Sequence, residues 1–396
     1  MARIPPTRLR SFVTTLLFLL SGPLSAGALP SLEWLSSTDM PLGTHRPEIL
    51  VTPAGEILVI VVDHDGEIRH KGYRYDSELN PMGDPFPVTA FSETYGWPAD
   101  HRAVIANGEI LVTYQTLLDT DTEPCQSLPE QCAEFQSFML ARFDLDGNEL
   151  LRTPIVANVS DFSQDNFPDH CILWRGDHLL TSTGSLGNQT LKFREVGTDG
   201  SVQSTTQVST SPTTIPSAIG NSLVSTGEAL WIASYRLGAG MGTLSLSELD
   251  ENYAPGTATA YPDAGSIQKF PTGNLWEAPY LFVAYTKHDD TLIDTDPYFT
   301  YLRTLDANLQ DVDDFRVGEG DGFGGVHPTM VRSGDRVYVA WSRVGAQSGS
   351  LSTPQVRLEV YAYDSGVSTV PGALPWIQFS LVVTMLSAGF ALLRSV

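Results

Sequence analysis

Eight histidines occur in the 396 residues. Four of them, His45, His101, His170 and His327, stand just before a short apolar stretch: EILV, AVI, CILW and TMV. Arg46 and Arg102 follow two of these histidines, and Asp100 and Asp169 precede two. Imidazole titrates near neutral pH, so such a set can serve as general base, as hydrogen-bond partner or as metal ligand. Three uses compete. Histidines at strand starts can tie one structural repeat to the next by hydrogen bonds. The imidazoles with Arg46, Arg102, Asp100 and Asp169 can hold sugar hydroxyls or a carboxylate. Three or four converging imidazoles suit Zn, Cu, Fe or Mn, but only if their nitrogens come within roughly 2.0–2.2 Å of one ion. The sequence does not fix that spacing, so metal binding stays a third reading and no metal is assigned to these residues.

Other chemistry is thinner. Asp100 and Asp169 supply carboxylates of the kind hydrolases pair, although at the start of a strand they equally serve a turn. Asp-rich stretches at 119–123, 289–296 and 311–314 offer oxygen ligands but no EF-hand spacing, and are read as solvated loops. His64 and His70 fall in hairpin or outer-strand positions and are expected to be exposed. GEGDGFGG at 318–325 is expected to be a flexible lip or a long link before His327. Phosphate-cradling Gly-rich loops, a Gly-x-Ser-x-Gly elbow and paired Cys-x-x-Cys motifs are absent from the sequence.

The elements that must position these residues recur. Six copies of one unit run through the chain: a short polar start, an apolar strand, a Gly-centred turn, a stronger apolar strand, and a third strand ending in an Asp/Gly/Asn turn. Copy one holds EILV, Gly55, EILVIVVD and RYDSELNPMG. Copy two holds AVI, Gly108, EILVTYQT and RFDLDGNELL. The others centre on HLLTSTG, ALWIASY, YLFVAYTK and RVYVAW. Alternating Val/Ile/Tyr/Thr runs of five to eight residues broken by Gly, Asp or Asn are hairpin strands. A twisted four-stranded sheet cannot cover both of its faces alone, and a closed ring gives each sheet two neighbours. The expected fold is therefore all-β: a six-bladed β-propeller. The sixth copy is one strand short after Tyr363, and SLEWLSSTDM at 31–40 has no partner, so the N-terminal strand should close the ring. On this plan the four histidines belong to copies 6, 1, 2 and 3 and form an arc at one end of the central channel.

The repeat resembles the sialidase-like (BNR-type) propellers of secreted bacterial proteins. RYDSELNPMGDPFPV (74–88), RFDLDGNELLRTPIV (142–156) and RVYVAW (336–341) carry the likeness, which extends over about residues 45–364. It implies a propeller whose ligands bind at the channel mouth. Some such propellers are glycosidases or polysaccharide lyases that use channel His and Tyr residues. The Asp-box Ser-x-Asp-x-Gly-x-Thr-Trp is missing from every copy, and the arginines that hold a carboxylated sugar cannot be placed, so sialidase activity is not expected.

The two ends are addresses. Residues 1–26 place Arg3, Arg8 and Arg10 before an apolar run from Phe12 to Leu20 and small residues, the order of a cleaved signal peptide. Residues 376–393 carry no charge and precede Arg394; 18 helical residues would span about 27 Å, near the thickness of a bilayer core. With VPGALPW in front, the segment 370–396 resembles the exosortase-type sorting signals (PEP-CTERM/IPTL-CTERM) of Gram-negative bacteria; a plain C-terminal transmembrane helix is the other reading. Both put the propeller domain, residues 27–369, outside the cytoplasm, tethered to the membrane or sorted. Cys125 and Cys132 then fit a small loop-closing disulfide, and Cys171 a buried thiol.

Charge narrows the partners. The chain has 23 Lys+Arg against 46 Asp+Glu, a net −23. Four of the bases lie in the two acid-free ends, so the central part is more acidic still. Such a surface does not track phosphate backbones, and no nucleic-acid partner is expected. The expected function is recognition of a carbohydrate or another extracytoplasmic ligand through His45, Arg46, Asp100, His101, Arg102, Asp169, His170 and His327. The alternatives are a glycan-active hydrolase or lyase using the same arc, and a surface-architecture protein with no small-molecule site. The cofactor is left open by the sequence.

Overall fold

The computed structural model describes residues 29–63, 68–118, 135–159, 166–185, 190–209, 222–227, 229–238, 241–261, 266–289, 298–318, 324–344 and 354–365. The chain divides into two units, residues 33–362 and the two ends, 1–32 with 363–396. The larger unit is the propeller. Strand β1 is Ser31–Leu42. Blade one follows as β2 (Thr44–Val51), β3 (Ile57–Asp63), β4 (Ile68–Tyr75) and β5 (Phe86–Ala90). Blade two is β6 (Trp97–Ala106), β7 (Glu109–Leu118), β8 (Phe135–Asp144) and β9 (Glu149–Val159). Blade three is β10 (Asn166–Trp174), β11 (Leu179–Ser185), β12 (Thr190–Val196) and β13 (Val202–Ser209). Blade four is β14 (Ser222–Ser225), β15 (Leu230–Gly238), β16 (Met241–Leu249) and β17 (Thr259–Tyr261). Blade five is β18 (Ser266–Glu277), β19 (Tyr280–Asp289), β20 (Phe299–Leu305) and β21 (Asp311–Arg316). Blade six has β22 (Gly324–Ser333), β23 (Arg336–Val344) and β24 (Gln355–Asp364).

Each of the six sheets has four strands, and the last runs β1-β24-β23-β22. The N-terminal strand is thus the outer strand of the blade built by the chain's end, as the missing sixth-copy strand predicts. Asp39 ties it down by ion pairs to Arg343 at 2.8 Å and Arg357 at 3.2 Å. Met40, fully buried, joins the core between blades six and one, with Ile57, Val59, Tyr338, Val356 and Leu358.

Burial explains the strand patterns. Second strands lie between two neighbouring blades, and β3 reads ILVIVVD with every residue buried. Fourth strands face solvent on one side, and β13 alternates accordingly. Separate apolar cores fill the spaces between blades one and two, two and three, three and four, and four and five. The RYD and RFD turns close the third-to-fourth-strand hairpins. Asp76 Oδ1 accepts the N–H groups of Glu78 and Asn80, both at 2.9 Å, and Asp144 Oδ1 does the same for Asp146 and Asn148. The fourth turn residue is left-handed, with φ 64° at Leu79 and 87° at Gly147.

Several expectations change. Residues 311–314 are not a loop but the start of β21: Asp314 holds the buried Arg303 at 3.2 Å and takes the Tyr285 hydroxyl at 2.9 Å. His70 is fully buried, not exposed; its Nδ1 lies 2.6 Å from Thr89 Oγ1 and its ring centroid 4.5 Å from that of His101. Among the described residues no helix is long and apolar enough to cross a membrane. The signal segment 1–26, the segment 370–396, Cys125 with Cys132, His64, the Asp-rich stretch 119–123 and all of the stretch 289–296 but Asp289, which ends β19, lie outside the described residues, as does most of the Gly-rich stretch 318–325.

Candidate functional site

The six first strands, β2, β6, β10, β14, β18 and β22, pack side by side in a ring around the propeller axis. In each, the residue four places before the hairpin-closing pair (Thr52–Glu56, Ala106–Glu109, Arg175–His178, Thr226–Ala229, Glu277–Tyr280 and Ser333–Arg336) faces the same point of its second strand. Glu48 pairs with Ile60, Arg102 with Thr113, Cys171 with Ser182, Ser222 with Ala233, Gly273 with Ala284 and Thr329 with Ala340. These six residues form one tier around the axis. A register shift breaks the ladder directly before the tier residue in β2, β10, β18 and β22 and one residue earlier, before His101, in β6; β14 has none. The extra residues of these bulges form a second tier, which holds Arg46, Asp100 and His327.

This register separates the four histidines. His101 and His170 are equivalent: each directly precedes its tier residue. His327 stands one place earlier and matches Arg46 and Asp100, while His45 stands one place earlier again, paired with Val62. Arg46 and His327 are both left-handed, φ 49° and 53°, each followed by a proline. The Arg46 N–H is fixed by Ser342 Oγ at 2.7 Å across the blade boundary.

His101 and His170 turn away from the axis. His101 is buried, and its Nε2–H donates to the Ile60 carbonyl of blade one at 3.1 Å. Its Nδ1 is then unprotonated, and it has no hydrogen-bond partner. Burial, then Arg102 and Arg46, push this imidazole down to about 3. His170 is equally buried, with Nε2 2.8 Å from Thr113 Oγ1 of blade two. Ile60 and Thr113 occupy the same register position, so one interblade clasp occurs twice. Asp169 lies in β10 beside His170, and its side chain is outside the described residues.

The remaining candidates converge, joined by a residue the sequence did not single out. Arg46 of blade one makes an ion pair with Asp100 of blade two. Arg102 of blade two approaches Glu48 of blade one, Nη1 to Oε2, at 3.6 Å. Glu48 also accepts a hydrogen bond from Thr329 of blade six, and burial outweighs that bond and Arg102 to push its carboxyl up to about 7. His45 and His327 are half-buried. His327 is held well below the usual imidazole value, by burial first and then by Arg46, Arg102 and His45, so it is neutral at pH 7. The charged arc spans blades six, one and two. Across the axis the tier is small and neutral: Gly273, and Ser222, whose hydroxyl donates to the Pro271 carbonyl and accepts from Asn274 Nδ2 at 2.7 Å. Nothing in the sequence pattern marks Glu48, because it reads as the first polar residue of a strand. Among the described residues no group of three or more His, Cys, Asp or Glu side chains could hold a metal ion.

No protein-family model matches the sequence, and no curated protein matches it; neither the sialidase-like repeat nor the sorting signal is therefore matched by a family. Solved structures are similar in fold. A Dyadobacter fermentans protein of unknown function is 11% identical, with a TM-score of 0.63, over 85% of this chain and 100% of that one. An exo-β-1,3-galactanase from Phanerochaete chrysosporium is 11% identical, with a TM-score of 0.47, over 85% and 98%. A thermostable family-43 glycoside hydrolase is 10% identical, with a TM-score of 0.43, over 83% and 92%. The likeness to the Dyadobacter protein is one of fold alone, and the two weaker likenesses carry nothing about the site. The chain is a six-bladed β-propeller closed by its N-terminal strand.

Proposed function

We propose that this propeller is an exported protein that binds a carbohydrate or a similar hydroxyl-rich ligand at the axial arc of Arg46, Glu48, Asp100, Arg102, His45 and His327. The carrying observation is the convergence of these side chains from three consecutive blades, opposite a neutral wall of Gly273 and Ser222. Guanidinium and carboxyl groups offer paired donors and acceptors suited to vicinal hydroxyls. His101 and His170 have no part in binding on this reading. The signal-like residues 1–26 and the apolar segment 376–393 support export and tethering to a membrane, through an anchor or an exosortase-type step. A glycan array probed with the purified protein, and with Asp100→Ala beside it, tests the reading: glycans bound by the first and not by the second support it, and an array blank for both defeats it.

A second reading, a glycan-active hydrolase at the same arc, is favoured by the Glu48 carboxyl. A group pushed up to about 7 still holds a proton near neutral pH, as a general acid must. Product release from polysaccharides by the native protein and not by Glu48→Gln would establish it; bound but uncleaved glycan would leave the recognition reading in place.

A further inference from the structure

Glu48 is held more loosely than the carboxylate of Glu109. Its side chain is only 13% exposed. The nearest Arg102 nitrogen, at 3.6 Å, is beyond hydrogen-bond distance, and Arg102 Nη1 donates instead to the His101 carbonyl at 3.1 Å. Glu109, by contrast, accepts hydrogen bonds from Arg142 Nε and Nη2, each at 2.8 Å. Glu48 thus receives one hydrogen bond, from Thr329, and a distant attraction. The surrounding titratable groups are His45 and Arg46 from β2, Asp100 and Arg102 from β6, and His327 from β22. His101 of β6 is turned to Ile60. β3 and β23 also pack on β2; their Asp63, Arg336 and Arg343 meet Lys71, Glu78 and Asp39, and the Tyr338 hydroxyl meets the Ser77 carbonyl.

A ligand seated in the arc removes the water that still reaches Glu48. Loss of that water disfavours the charged form further, so a neutral ligand binds better to the acid than to the carboxylate. The acid also carries a donor hydrogen that the carboxylate lacks. A cationic ligand would reverse the preference. We infer that Glu48 is the proton-carrying contact of the axial site: a neutral oligosaccharide accepts a hydrogen bond from its carboxylic acid form, and ionisation of Glu48 releases the ligand. This rests on the glycan reading above.

The test is calorimetric titration of the full-length protein with gluco-, xylo- and galacto-tetraoses between pH 6 and 9, alongside 13C NMR titration of the Glu48 carboxyl without ligand. When only the protonated form binds, affinity falls about tenfold per pH unit above the Glu48 midpoint. With a midpoint near 7 the native protein should therefore weaken about fiftyfold from pH 7 to pH 9. Glu48→Gln, whose amide donates at every pH, should vary less than about twofold. Thr329→Val removes the bond that favours the carboxylate and should carry binding to higher pH. Binding that is flat with pH in the native protein, a Glu48→Gln variant that keeps the native pH slope, or a Glu48 carboxyl that titrates at the ordinary 4.5 overturns the inference while the glycan reading stands. A carboxyl that titrates near 7 with no tetraose bound at pH 6 removes the glycan reading, and the inference with it.

Discussion

His170 Nε2 of the third blade stands 2.8 Å from Thr113 Oγ1 of the second, with both side chains buried. The same register position one blade earlier is served by His101 and the Ile60 carbonyl at 3.1 Å. A duplicated repeat has carried its interblade clasp with it.

Removing that clasp should cost stability and leave ligand binding alone. His170→Ala deletes the hydrogen bond and the edge-to-face contact with Phe138, whose centroid lies 4.8 Å away, and strands the buried Thr113 hydroxyl. The expected loss is about 2–4 kcal/mol, read by denaturant unfolding. Thr113→Val in the His170→Ala background should recover part of it. A His170→Ala protein as stable as the native one would refute the clasp.

Acid should act through opposed groups. The folded His101 value, about 3, lies below the ordinary 6.5, so between those values the unfolded chain binds more protons and stability falls as pH falls. The folded Glu48 value, about 7, lies above 4.5, so there the folded chain binds more protons and stability rises as pH falls. Between about pH 4.5 and 6.5 the two effects offset. Glu48→Gln removes one side. Its unfolding free energy should drop more steeply than that of the native protein on going from pH 6.5 to 4.5, by up to about 1.4 kcal/mol per unit. Equal slopes for the two proteins would contradict this.

Closure of the ring rests more on Met40 than on the ion pairs around Asp39. Met40→Ala empties a fully buried place in the core between blades six and one, at a cost of about 2–4 kcal/mol. Asp39 is 36% exposed, so Asp39→Ala should cost only about 0–1 kcal/mol. Thermal unfolding of the two variants gives the ranking, and the reverse order would be incompatible with this account.

Blades one and two meet through Phe86, which fills the space left by two missing side chains. A Cβ at Gly72 would overlap its ring, and one at Gly147 would come within 2.6 Å of it. Gly72→Ala should destabilise the protein by about 1–3 kcal/mol, and adding Phe86→Leu should relieve part of that loss. Additive losses in the double variant would show that Phe86 is not the obstacle.

The sequence by itself determined the propeller. Period-two apolar runs such as ILVIVVD, the Asp turns after RYD and RFD, and the six-fold recurrence are local signals, each written within a few residues. Closure was legible too, because a missing strand at one end and a spare strand at the other can be counted. The site was only half legible. Of the eight residues marked by type and position, five (His45, Arg46, Asp100, Arg102 and His327) come to one arc with Glu48. Sequence could not separate His101 and His170 from them, because a bulge of one residue decides whether a side chain faces the axis or the next blade, and bulges have no length signature. Nor could it show Glu48, whose chemistry is made by Arg102 on one neighbouring blade and Thr329 on the other. Those residues lie 54 and 281 positions away along the chain, and only closing the ring brings them to a carboxyl that burial pushes up to about 7.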